Sequence, residues 1–321
     1  MNGADILGHL RRRERWRWSE IAFWLLLLAA IVVFPSRAAL VNEALVAGLF
    51  ALSLDLILGL AGVVSLGQAA FFGLGGYTAG ILANAGYDDP LLGLVAAVVP
   101  AALVGLATAP LLLRGADLTR LMVTMGVALM LGELANREDW LTGGADGLNF
   151  SVAPLFGRFS LGAIGDGPRN AALFTLAVLF LLFALARRLR ASSFGLSLAA
   201  IRENRLRAGA LGVPTARRIV AVYALAAAYA GIAGALLAET TQIVSLDLFD
   251  FRRSANVMLM LIIGGAGWLY GGLVGAALFI VIRDVVSAAT PEYWEFWIGL
   301  MLVVLVLAGR ERLAARLGLS R

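Results

Sequence analysis

The stretch GLAGVVSLGQAAFFGLGGYTAGIL, Gly59 to Leu82, carries seven glycines in an apolar setting, with Ser65, Gln68 and Tyr77 embedded among them. In water each glycine inside a helix costs about 1 kcal/mol relative to alanine, and glycine weakens a strand as well. Neither a soluble helix nor a soluble strand accounts for such a run. Lipid does. Helices in a bilayer gain little from segregating apolar side chains and associate through close backbone approach, which small residues permit.

Composition points the same way. Of 321 residues, 61% are hydrophobic and 15% charged, with a mean hydropathy of +0.88; an ordinary soluble domain is about 45–50% apolar and about 25% charged. The expected fold class is all-α, a polytopic integral membrane protein. At roughly 20 residues per crossing, apolar runs at 20–34, 38–60, 66–84, 90–113, 119–137, 171–190, 216–238, 254–266, 270–288 and 294–309 give about ten transmembrane helices. The chain has no cysteine, and all 26 basic residues are arginine. Disulfides, thiol chemistry, a Schiff-base lysine and a P-loop lysine are therefore excluded. His9 lies in the polar N-terminus and reads as a solvated surface residue. No His/Cys/Asp cluster has metal-binding or catalytic spacing, so neither a metal site nor an enzyme activity is expected.

The isoelectric point near 10.2 suggests nucleic acid only until the arginines are placed. With the N-terminus inside, Arg11, Arg12, Arg13, Arg15 and Arg17, then Arg114 and Arg120, the cluster Arg187 to Arg218, and Arg310 to Arg321 all fall on the cytoplasmic side, nineteen inside against seven outside. Asp88, Asp89, Glu138, Asp139, Asp146, Asp166, Asp247 and Asp250 fall outside. The positive-inside rule sets both termini in the cytoplasm: a basic N-terminal segment 1–19, a permease region 20–309 and a tail 310–321. Trp16, Trp18 and Trp24 flank or enter the first span like an interfacial belt. The basic segment, apolar run and Ser36-Arg37-Ala38 also resemble a cleavable signal. Pro35 and Arg37 suit such a site poorly, and an uncleaved first helix is the expectation.

The run Ser254 to Ser287 is too long for one crossing and must break at Gly264-Gly265-Ala266-Gly267, before Gly271-Gly272. Gly59-Leu60-Ala61-Gly62 has a similar form, a hint of the internal duplication and broken helices common in transporters. Gly76 with Gly80, and Gly267 with Gly271 and Gly275, are small-xxx-small pairs that suit helix packing. Gly62 to Gly67 permit an unwound turn at membrane depth, tolerated only when buried in protein or facing a watery cavity. Two readings stay open there: Ser65 and Gln68 line a path, or Ser65 caps a helix start and Gln68 bonds a neighbouring helix.

The stretch Gly59 to Leu82 resembles the hallmark of the high-affinity branched-chain amino acid ABC transporter permeases, of the LivM type. Three further segments resemble the same family in the same order: Arg114 to Glu133 followed by LTGGADGL (Leu141 to Leu148), FGLSLAAIRENRLRAGALGVPTARRI (Phe194 to Ile219), and TPEYWEFWIGLMLVVLVL (Thr290 to Leu307). Urea, amide and aromatic-acid importers resemble the same set. The family often carries histidine where Gln68 stands, so a role for an imidazole does not transfer. The resemblance implies one translocation subunit of a bacterial inner-membrane importer. Its implied partners are a homologous second permease, two ABC ATPase subunits and an extracytoplasmic substrate-binding protein. The chain itself holds no cofactor; ATP is bound by the partner subunits. An autonomous channel or secondary transporter is the alternative.

The segment 194–219 contains Arg202, Glu203, Asn204, Arg205 and Arg207, then Ala208-Gly209-Ala210, Gly212 and Pro214. Polar residues with a short Ala/Gly stretch suit a short surface helix ended by Gly212. The resemblance implies that this is the coupling helix seated in an ATPase cleft, with Ala208 and Gly209 permitting close docking and Arg202 and Glu203 making polar contacts.

Intramembrane charges are costly and usually functional or paired. Asp55 lies inside the second span and Glu133 inside the fifth, with Glu43 and Glu239 nearer the outer ends. Either of the first two is a candidate for a substrate ammonium, and Glu133 equally for an arginine of another helix. The outer loop 138–170 carries the turn-rich Thr142 to Gly147, where Asp146 is expected to close an Asx-turn. It suits either contact with a binding protein or a plug against the helix ends.

Overall fold

The structure is a computed structural model and describes residues 18–113, 117–162, 165–289, 293, 296, 297, 299 and 300. Its principal helices are α1 (Trp18–Val33), α2 (Ala38–Ala61), α3 (Gln68–Asn84), α4 (Pro90–Leu113), α5 (Asp117–Arg137) and α6 (Gly167–Ala191). They continue with α7 (Ser193–Glu203), α8 (Arg205–Ala210), α9 (Thr215–Thr241), α10 (Phe251–Gly264) and α11 (Leu269–Ala289). The first nine apolar runs of the sequence are all helical.

Among the described residues, six helical stretches are long and apolar enough to cross a bilayer, those holding α2, α4, α5, α6, α9 and α11. Helices α1, α3 and α10 have 16, 17 and 14 residues, short of the roughly 20 a full crossing takes. For α3 and α10 the reason is local: each adjoins a glycine break. The run 294–309 lies almost wholly outside the described residues, as do the N-terminal segment before residue 18 and the tail 310–321. One small departure from an all-helical chain is a two-residue antiparallel ladder, β1 (Leu148–Asn149) with β2 (Ile243–Val244), pairing Leu148 with Val244 and Asn149 with Ile243.

Helix α9 is the centre of the bundle and packs against α2, α3 and α4. Its inner positions are mostly alanine and glycine, including the buried Ala226, Ala227, Ala230 and Ala233. A Cβ on Gly234 would overlap the Phe72 carbonyl of α3, and one on Gly231 would sit 2.6 Å from the Ala101 Cβ of α4. From the facing side, a Cβ on Gly75 would overlap the Gly231 carbonyl. The three helices therefore meet backbone to backbone, the form of packing that lipid favours. Large apolar side chains point outward instead: Leu26 of α1, Val95 and Leu103 of α4 and Leu181 of α6 are all exposed, as lipid-facing positions are.

Segments that the arginine bias assigns to the same side gather at the same end. Gly62–Gly67, Arg202 and Gly265–Gly267 converge at one end. At the other, the ladder ties the outer loop to the end of α9, and Ala153 N–H donates to the Asp88 carbonyl at 2.9 Å.

Candidate functional site

The first break starts where α2 ends at Gly62, in the left-handed conformation at φ +70°. Gly62 N–H still donates to the Leu58 carbonyl and Val63 N–H to the Ile57 carbonyl, after which residues 64–67 lie outside any helix until α3 begins at Gln68. Three backbone donors in this break and in the first turn of α3 are met by hydroxyls. Leu66 N–H donates to Thr124 Oγ1 of α5 at 3.1 Å, Gly67 N–H to Ser65 Oγ at 3.3 Å, and Ala69 N–H to Ser254 Oγ of α10 at 2.9 Å. Side chains of α5 and α10 thus tie down this unwound backbone, which at membrane depth needs protein partners. Ser65 is buried, and its hydroxyl closes a local turn by accepting from Gly67 N–H; the start of α3, at Gly67, carries no side-chain cap. A Cβ on Gly67 would lie 2.7 Å from the Thr124 carbonyl oxygen, so α5 presses directly on the break. Gln68 is fully buried, and neither polar atom of its side chain has a hydrogen-bond partner among the described residues. Tyr77 stacks on Phe249 with ring centroids 5.5 Å apart, and its hydroxyl is likewise without a partner.

The second break joins α10 to α11. A Cβ on Gly264 would overlap the Gly271 carbonyl, and one on Gly271 the Gly265 carbonyl, so the two helices fold back on each other with nothing between their main chains. Gly267 N–H donates to Asp55 Oδ1 at 2.6 Å. Asp55 is completely buried in α2, and its second oxygen has no hydrogen-bond partner among the described residues. The carboxylate thus pins the second break to the helix that ends in the first.

The segment 194–219 meets both. Ser192 caps α7 by accepting from Gly195 N–H, and Asn204 caps α8 by accepting from Arg207 N–H at 2.9 Å. These caps orient the α7 terminus so that Arg202 Nη1 donates to the Gly59 carbonyl at 2.6 Å. A Cβ on Gly62 would lie 3.0 Å from Arg202 Cγ, and one on Gly267 2.6 Å from Arg202 Nη1. Residues 55, 59, 62, 202 and 267, far apart in sequence, form one junction. Along α8 the small residues divide: Ala208 is buried against the bundle, while Gly209 and Gly212 face open space, the latter ending the helix at φ +85°. Glu203 is exposed, and Leu206 and Leu211 are 88% and 77% exposed.

The remaining candidates are dispersed. Glu133 lies on an exposed face of α5 and pairs with Arg137, four residues on in its own helix, at 3.0 Å. Gly76 faces the Gly234 carbonyl of α9 and Leu248, whereas Gly80 faces Phe150 of the outer loop. That loop folds against the helix ends, and its turn is held by Gly144 N–H donating to Thr142 Oγ1 at 3.4 Å and Gly147 N–H to the Gly144 carbonyl at 3.3 Å, and not by the Asp146 side chain. A cluster of which the sequence singles out only Glu43 joins it to Arg253, Asn256 and Arg283 and lines a cavity of about 100 Å³ at the ends of α2, α10 and α11 farthest from the breaks. A signal for it was present: Arg253 and Arg283 belong to the minority of arginines that the positive-inside count leaves on the outer side.

Two broken helices, each adjoining a short helix and both meeting a polar segment between spans, are features of a transporter. A family profile described as branched-chain amino acid transport system / permease component matches residues 36–306. The chain belongs to this family. It is 29% identical over 280 residues to the high-affinity branched-chain amino acid transport system permease protein LivM of Salmonella typhimurium, and equally to LivM of Escherichia coli strain K12. Each alignment covers 80% of this chain and 64% of the relative, so the chain spans less than two thirds of the length of these relatives. No solved structure matches the chain. By family the chain is a permease component of a transport system.

Proposed function

We propose that this chain is one permease subunit of an ABC importer that moves branched-chain or related amino acids inward across a bacterial inner membrane. It has about ten crossings with both termini cytoplasmic, and works with a second permease, two ATPases and an extracytoplasmic binding protein. The carrying observation is the Arg202 junction. A segment outside the bilayer, expected to dock an ATPase, reaches the Gly59 carbonyl and lies against Gly62 and Gly267. Motion of the docked subunit is thereby delivered to both helix breaks, where the path changes shape with the least loss of helical hydrogen bonding. The exposed Leu206 and Leu211, with the open Gly209 between them, form the outward face of α8 that such a subunit grips.

The test uses the assembled complex in proteoliposomes. Arg202→Ala should retain its ATPase subunits and their hydrolysis while ATP-dependent uptake of L-leucine falls by about tenfold or more, the worth of one charge-assisted bond. Normal uptake by this variant would remove Arg202 from coupling. Flux that persists without ATP would replace the importer by a channel.

A further inference from the structure

We propose that the cavity between α2, α10 and α11 is a binding site for an aliphatic α-amino acid on its way through the chain, with Arg253 holding the carboxylate, Glu43 the ammonium and the inner wall the side chain. The proposal rests on the importer reading and adds to it a site and the groups that select the substrate.

The cavity has a charged end and an apolar end. At the charged end, Arg283 Nη2 donates to Glu43 Oε2 at 2.6 Å. Arg253 is anchored separately: its Nε donates to the Asp247 carbonyl at 2.9 Å, and its guanidinium lies over the Phe72 ring at 5.6 Å from the centroid. The two terminal nitrogens of Arg253 make no hydrogen bond to another described residue, which leaves the bidentate face that suits a carboxylate. Asp247 and Asp250 lie near Arg253 along with Glu43, so it is the open bidentate face of its guanidinium, and not a net positive charge, that recruits the carboxylate. Glu43, shared between Arg283 and the cavity, then supplies the acceptor an ammonium needs. Asn256 adds a neutral polar group beside them.

The other end is lined by Phe50, Phe72, Val257 and Met260, all buried except for what they show the cavity. The Phe50 and Phe72 rings stand 4.5 Å apart and form one wall. Such a surface rewards an apolar side chain and leaves a polar one without partners. Size suits the side chain alone: an apolar cavity of about 150 Å³ takes a benzene-sized group of about six carbons, so about 100 Å³ takes about four, as many as leucine carries beyond its Cα. The ligand's two charges sit at the mouth and its side chain inside, so the site excludes small polar solutes and inorganic ions by the same means.

The experiment is saturation-transfer NMR of L-leucine on the full permease complex in lipid nanodiscs, alongside ATP-dependent L-leucine uptake by the same complex. Leucine methyl signals should be saturated by the complex. Leucinol, which lacks the carboxylate, and 4-methylpentanoate, which lacks the ammonium, should each compete about tenfold less well. Arg253→Gln should lose the signal by about tenfold, and Arg253→Lys should recover part of it. Met260→Ala, which leaves every charge in place, should admit L-phenylalanine as a competitor. Wild-type uptake with Arg253→Gln and Met260→Ala unchanged in binding and selectivity would overturn the site and leave the importer reading standing. A wild-type complex that takes up no aliphatic amino acid under ATP would overturn both.

Discussion

The two helix breaks are held in different ways. At the first, hydroxyls from separate parts of the chain, Ser65, Thr124 and Ser254, each satisfy one backbone donor. At the second, a single side chain, the Asp55 carboxylate, accepts from Gly267 N–H; the main chain adds Gly265 N–H to the Leu261 carbonyl and Gly271 N–H to the Trp268 carbonyl, and α10 and α11 meet backbone to backbone. A neutral hydrogen bond contributes about 0.5–1.5 kcal/mol and one to a charged group about 1.5–3. The totals are comparable, but their distribution is not. The first break is over-determined and survives the loss of any one partner. The second relies on one side-chain bond, from Asp55, and is the part of the junction that a moving Arg202 is best placed to disturb.

Substitutions that remove space should have the largest effect. Gly271→Leu drives a branched side chain into the Gly265 carbonyl, where overpacking costs about 3 kcal/mol or more. Expression and thermal unfolding of the variant report it, and a normally stable Gly271→Leu would mean that α10 and α11 do not touch there. Asp55→Ala comes next: it strands Gly267 N–H and should lower stability by about 1.5–3 kcal/mol, with uptake lost. Ser254→Ala and Thr124→Ala should each cost only about 0.5–1.5 kcal/mol and keep most uptake. If either proves as damaging as Asp55→Ala in denaturant unfolding, the contrast between the breaks disappears.

The smallest effect on the chain itself is expected in α8. Gly209→Trp points into open space and should change stability by no more than about 0.5 kcal/mol, yet the ATPase subunits should be lost on gentle purification. Ala208→Trp instead fills a buried position and should cost about 1–3 kcal/mol before docking is considered. Retention of the ATPases by Gly209→Trp would show that α8 is not the docked face.

Much of the fold was legible because lipid imposes length. Apolar runs of about 20 residues and the overlong stretch 254–287 fixed the helices and placed a break at Gly264–Gly267. The partners were not legible. Arg202 reaches Gly59 across 143 residues and Asp55 reaches Gly267 across 212, and helices that are apolar on every face carry no periodic signal of which side meets which neighbour. Glu133 illustrates the cost: its position inside a span suggested an interior partner, but the helix turns that face outward and supplies Arg137 itself. Ala208 shows the converse, a small residue assigned to docking that the bundle uses for its own packing.

The two-residue ladder between β1 and β2 has a mechanical meaning. It stitches the outer loop to Ile243–Val244, and only a short 3₁₀ turn, Leu246–Phe249, separates that seam from the head of α10. Asp247 within the turn holds Arg253 by its carbonyl. A load applied to the loop 138–170 therefore travels as tension along a few peptide units and arrives at the guanidinium in the cavity wall.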